Sequence, residues 1–93
     1  MILMSFIPVN AKENVRDLIN KHKLNIIIVS ERKTKRGDFR VYSNGFKKIT
    51  LNQDSNKFRF LITLLHEISH QLVYQKFGNN IKPHGVEWKK KFK

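Results

Sequence analysis

The chain has 93 residues, 40% of them hydrophobic and none a cysteine, enough for one small core but with disulfides, Cys-based zinc knuckles and thiol catalysis excluded. Nineteen Lys and Arg against seven Asp and Glu leave a net charge of +12, a field that favours polyanions such as nucleic acid or an anionic membrane surface. No apolar run approaches the ~20 residues that span a bilayer, and the apolar Met1–Ile7 stretch stops at Pro8 without a basic start or a cleavage site. A cytoplasmic protein with no membrane partner is expected.

No repeat and no linker divides the sequence, so residues 1–93 are expected to form a single domain, with residues 1–9 as an N-terminal extension. Val15, Leu18 and Ile19 follow helical spacing within Ala11–Lys23, with Asn10 as N-cap and Glu13 completing a capping box. Leu24–Val29 is short, continuous and β-branched, which predicts a largely buried strand. Thr34–Asp38 has turn chemistry, Phe39–Tyr42 alternates as a strand, Ser43-Asn-Gly45 signals a hairpin, and Lys48–Asn52 supplies a third strand. A helical pattern fills Lys57–Phe77, with Gly78 where a left-handed cap belongs. Pro83 stiffens the following loop, and Val86–Phe92 reads as a last helix. The predicted order is α-β-β-β-α-α, an α+β fold with a small antiparallel or mixed three-stranded sheet packed on helices.

His66-Glu67-Ile68-Ser69-His70 is an H-E-x-x-H sequence inside the strongest helix. Four residues exceed one 3.6-residue turn by about 40°, so His66 and His70 project from one face and can share a zinc ion at ~2.0–2.1 Å. Glu67 can then act as general base, taking a proton from zinc-bound water and passing it to a leaving amine. The competing reading is a pair of solvent-facing or core-capping histidines on an ordinary amphipathic helix. Against it, Leu61, Leu64, Leu65, Ile68 and Leu72 supply a separate core stripe, so packing does not require the histidines.

A catalytic zinc takes three protein ligands and leaves one position open. Among four histidines, His84 in Pro83-His84-Gly85 is the preferred third ligand, because the loop presents it to the helix face; Glu87 competes but falls on the expected last helix. His22, between Lys21 and Lys23, suits a helix C-terminus better than a metal.

The positive charge is uneven. Arg32, Lys33, Lys35, Arg36, Arg40, Lys47 and Lys48 face only Glu31 and Asp38 between residues 31 and 48, and a second excess of lysines, including Lys89 and Lys90, follows Lys76. These clusters predict non-specific, salt-sensitive phosphate contacts. Phe39, Tyr42, Phe46 and Trp88 lie among them as candidate base-stacking platforms, Trp88 fitting core or loop packing better.

Ile49-Thr-Leu-Asn52, Phe60–His70 and Lys82-Pro-His-Gly-Val-Glu-Trp88, with Arg36-Gly-Asp-Phe-Arg40 upstream, resemble the SprT-like zinc metalloprotease family, relatives of the Spartan-type DNA–protein crosslink proteases. The resemblance covers roughly residues 10–93. It implies a minimal zincin fold whose H-E-x-x-H helix carries the metal site, with one Zn2+ per chain on His66, His70 and His84 and with Glu67 as general base. It further implies an endopeptidase acting on proteins bound or crosslinked to DNA, with protein substrates and non-specific single- or double-stranded DNA as partners. Many members extend further, some with a Cys-containing zinc ribbon, so a chain ending at Lys93 reads as a pared-down version or a fragment. The alternative is a nucleic-acid-binding module whose zinc is architectural, which would need the histidines but not Glu67.

Overall fold

The computed structural model describes residues 2–30 and 32–78, Ile2 by its backbone alone. The expected last helix over Val86–Phe92 lies outside the described residues. Helix α1 spans Lys12–His22 and buries Val15. Asn10 does not cap it. Val9–Ala11 form a short 3-10 turn, with the Ala11 N–H donating to the Pro8 carbonyl at 2.9 Å, so the chain reaches α1 already wound. Ala11 occupies the N-cap position and no side chain caps it, leaving the predicted capping box unformed. Lys23 closes α1 in the left-handed conformation (φ 51°, ψ 53°), and the Leu24 N–H reaches the Ile19 carbonyl at 3.1 Å.

Three strands follow: β1 (Ile26–Val29), β2 (Gly37–Val41) and β3 (Lys47–Asn52). The sheet is mixed, in the order β1-β3-β2: β1 runs parallel to β3 with Ile26 opposite Ile49, and β2 antiparallel with Phe39 opposite Ile49. Period-two alternation turns Ile49 and Leu51 of the central strand fully into the core, flanked by Ile26, Ile28 and Phe39. The expected strand from Leu24 begins two residues later, and it is an edge strand rather than a buried one: Ile27 faces outward at 45% exposure. Gly37 and Asp38, expected in a turn, belong to β2. The β2–β3 hairpin turns as expected through Ser43-Asn-Gly45. Gly45 takes φ 88°, which a residue without Cβ adopts freely, and the Phe46 N–H donates to Asn44 Oδ1 at 3.0 Å.

Helix α2 spans Lys57–Phe77. Asn56 caps it, its Oδ1 accepting from the Arg59 N–H at 3.0 Å, and Asp54 in turn accepts from the Asn56 N–H at 2.9 Å. Gly78 has a positive φ of 74° but an extended ψ of −152°, so it ends the helix without the predicted left-handed geometry. Phe60, Leu64 and Ile68 are buried in the same core as Ile49 and Leu51. Leu61 and Leu72 pack at its margin, and Leu65 is half-buried.

The stretch read as an N-terminal extension contributes to this core. Leu3, Met4 and Ile7 are buried, Ile7 completely, and Phe6 stacks on Phe60 with centroids 5.2 Å apart. Sequence periodicity is silent here because a single 3-10 turn over Ile2–Phe6 is too short to display one. The described residues thus make an α+β fold of two helices and a small mixed sheet. None of their helices is long and apolar enough to cross a membrane.

Replacing Ile7 by Ala should cost ~2–4 kcal/mol in urea unfolding. Val9→Ala, at a position 74% exposed, should stay within ~0.5 kcal/mol. Equal, small effects would mean that the N-terminal turn is not part of the cooperative core.

Candidate active site

Helix α2 carries His66 and His70 one turn apart, both half-buried. Their Nε2 atoms are 3.1 Å apart, with ring centroids at 4.7 Å and planes at 81°. Two nitrogens bound tetrahedrally at ~2.0–2.1 Å to one zinc are separated by about 3.3 Å, so this donor pair fits such an ion. Ser69 lies between them, and its hydroxyl donates to the His66 carbonyl at 2.6 Å.

Glu67 is only 7% exposed. It lies against the N-terminal end of β2, where Gly37 makes room for it. A Cβ on residue 37 would stand 2.9 Å from Thr63 Cγ2, 3.0 Å from Glu67 Cγ and 3.1 Å from Glu67 Oε2. The glycine is required by close approach, not by an unusual backbone angle. Burial, and then the Asp38 carboxylate, push the Glu67 carboxyl from 4.5 up to about 7, with Arg32 and Lys35 pulling the other way. Asp38 itself is shared between Lys35 Nζ and Arg40 Nη2, each at 3.6 Å. An acid group poised near neutrality can both accept and return a proton at physiological pH.

Sequence reasoning missed this supporting layer. Asn52, 6% exposed at the end of β3, accepts from Arg32 Nε at 2.7 Å and donates through Nδ2 to the carbonyls of Lys35 (2.7 Å) and Arg32 (3.3 Å). Its backbone N–H reaches the Arg36 carbonyl at 2.9 Å, and Arg32 Nη1 donates to Thr50 at 3.1 Å. The β1–β2 loop is therefore fastened to the sheet. The sequence carries no signal of it: Ile49-Thr50-Leu51-Asn52 alternates regularly and predicts an outward Asn52, and only the structure shows the amide buried.

The basic stretch between residues 31 and 48 separates into two places. Arg32, Lys33, Lys35 and Arg36 join Arg59 around a cleft of about 700 Å3 at the N-terminal end of α2. Arg40, Lys47 and Lys48 lie instead along the β2–β3 ladder, Arg40 directly opposite Lys48. Lys48 Nζ sits 5.4 Å from the centroid of Tyr42, Lys47 Nζ 5.8 Å from that of Tyr74, and the Tyr42 and Phe46 rings are exposed. Phe39 is not available for base stacking: it is packed against the core and meets Tyr74 edge-on at 6.0 Å. His22 ends α1. His84, Glu87, Trp88, Lys89 and Lys90 lie outside the described residues, and among the described residues no group of three His, Cys, Asp or Glu side chains is gathered to hold a metal ion.

A model of the SprT-like family matches residues 10–93. Comparison with curated proteins and with solved structures returns no match.

Two predictions follow from Glu67. Gly37→Ala should lower stability by ~1–3 kcal/mol, because the added methyl meets the Thr63 and Glu67 side chains; unchanged urea unfolding would place β2 farther from α2. In the metal-free chain, the folded state keeps the Glu67 proton between pH 4.5 and about 7 while the unfolded state releases it. The contribution of this group is full below pH 4.5 and declines as pH rises through about 7. Glu67→Gln should flatten that decline in unfolding measurements from pH 4 to 8.

Proposed function

We propose, from the premise that the chain belongs to the SprT-like family, that it is a zinc-dependent endopeptidase acting on proteins bound or crosslinked to DNA. One Zn2+ per chain would be held by His66, His70 and His84, with Glu67 as the general base. The observation that carries this reading is the 3.1 Å separation of the two Nε2 atoms on the helix turn that also bears Glu67. The metallopeptidase character of the family supports hydrolysis. The +12 charge and the cationic side chains along the β2–β3 ladder and around the cleft support a nucleic-acid partner.

When bound, zinc supplies a Lewis acid that acidifies water and polarises a carbonyl oxygen. The protein supplies the proton traffic: Glu67 takes a proton from the attacking water and returns it to the leaving amine. Burial and the neighbouring Asp38 favour the protonated carboxyl, and so its acceptance of the proton from water, while a bound cation would favour its release to the amine. The close contact with Gly37 limits the positions the Glu67 side chain can take, and Asp38 keeps its proton affinity high. Strand β2 is the sheet edge beside Glu67, so an extended substrate segment adding to that edge would bring its peptide bond near the carboxyl.

The test compares wild type with Glu67→Gln on a protein crosslinked to DNA, with and without further DNA. Glu67→Gln should keep about one zinc per chain and lose at least ~100-fold in cleavage, whereas His70→Ala should lose the metal. A wild-type chain that binds zinc and DNA yet cleaves nothing would instead be the nucleic-acid-binding module with an architectural zinc.

A further inference from the structure

We propose that the cleft between the β1–β2 loop and the start of α2 is a binding site for a phosphate group. Arg32, Lys33, Lys35, Arg36 and Arg59 line it, and among the described residues Asp54 is the one carboxylate on its wall. That carboxylate is already engaged: Arg59 grips it in a fork at 2.5 and 2.8 Å, and it also accepts from the Asn56 N–H. The N-terminal end of the 21-residue helix α2 adds its own positive potential to the same volume.

The cations are gathered on a braced frame. Asn52 ties the loop that carries Lys33, Lys35 and Arg36 to the end of β3 through its bonds to Arg32, Lys35 and Arg36. Arg32 spends Nε on Asn52 and Nη1 on Thr50, while its buried Nη2 has no partner among the described residues. Its charge is thus only partly answered from within the fold. Convergent like charges repel one another at close range, and a fixed loop cannot relieve this by spreading. An anion can. A phosphate brings up to two charges and several acceptor oxygens, enough to meet guanidinium forks and ammonium groups together, where a single carboxylate offers two oxygens and one charge. At about 700 Å3 the cleft is roomy enough for a phosphodiester with its neighbouring sugars or for a compact phosphate compound.

This site deepens the DNA-facing half of the proposed function and depends on neither zinc nor Glu67. The experiment titrates the full chain at low ionic strength with inorganic phosphate, with fluorescein-labelled hexathymidylate and with hexaglutamate. Each titration is repeated on Lys33→Ala/Arg36→Ala, which removes two exposed cleft cations, and on Arg16→Ala/Lys21→Ala, which removes two exposed cations from α1. The cleft double variant should bind phosphate or hexathymidylate about tenfold more weakly, and the α1 variant within about twofold of wild type. Saturation by inorganic phosphate identifies a compact phosphate compound as the source, saturation by hexathymidylate alone a nucleic-acid backbone; either supports the site. The proposal is overturned by absence of saturable binding to both, by equal losses in the two double variants, or by hexaglutamate binding with the same dependence on Lys33 and Arg36. Cleavage that requires Glu67, in a chain whose cleft binds nothing, would remove this site and leave the peptidase reading intact.

Discussion

The arrangement of the molecule turns on one close contact, between the backbone of β2 at Gly37 and the side chains of Thr63 and Glu67 on α2. An edge strand can approach a helix this nearly only where it has no side chain. The contact sets the strand-to-helix distance, and with it the burial of the only acidic side chain on α2. That burial, more than any charged neighbour, keeps the Glu67 carboxyl close to neutral pH. Farther along the same strand, Phe39 meets Tyr74, so β2 and α2 remain in contact over two helical turns. Backbone spacing and proton affinity therefore share one cause.

Charge in the rest of the structure is arranged around that contact. Asp38 holds Lys35 and Arg40 on either side and raises the proton affinity of Glu67, while Arg32 and Lys35 oppose it. Arg40 and Lys48 are directly opposed across β2 and β3, an unfavourable pairing in a sheet. The Asp38 carboxylate beside Arg40 and the Tyr42 ring beneath Lys48 moderate it. Exposed pairs of this kind contribute little to stability individually. What they do is determine where the field is positive, and the basic run between residues 31 and 48 becomes two distinct surfaces.

Much of this was legible in the amino-acid order. The α2 boundaries, the hairpin at Ser43–Gly45 and the alternation of β3 follow from periodicity and turn chemistry, and the His66–His70 juxtaposition follows from the helical repeat. Other features depend on tertiary context. Asn10 has a capping residue's chemistry, yet a 3-10 turn pre-empts the position. The Leu24–Val29 run has the composition of a buried strand, and edge placement exposes Ile27. Glu67 reads as a catalytic side chain, but its burial comes from Gly37, thirty positions earlier in sequence. The support from Asn52 leaves no mark in the sequence, where its polar side chain keeps the alternation of β3 and only tertiary packing buries it. His84, the third ligand expected for a zinc ion, lies outside the described residues.

The stacking of Phe6 on Phe60 bears on how such a chain matures. A contact joining the first residues to the second helix closes a loop that contains α1 and the whole sheet, and long closures of this type slow folding. During synthesis Leu3, Met4 and Ile7 are made well before Phe60, Leu64 and Ile68, the α2 residues of the same core. The Ile2–Phe6 turn therefore lacks its helical partner until α2 has been made, and a segment far upstream in the order of synthesis docks onto one far downstream.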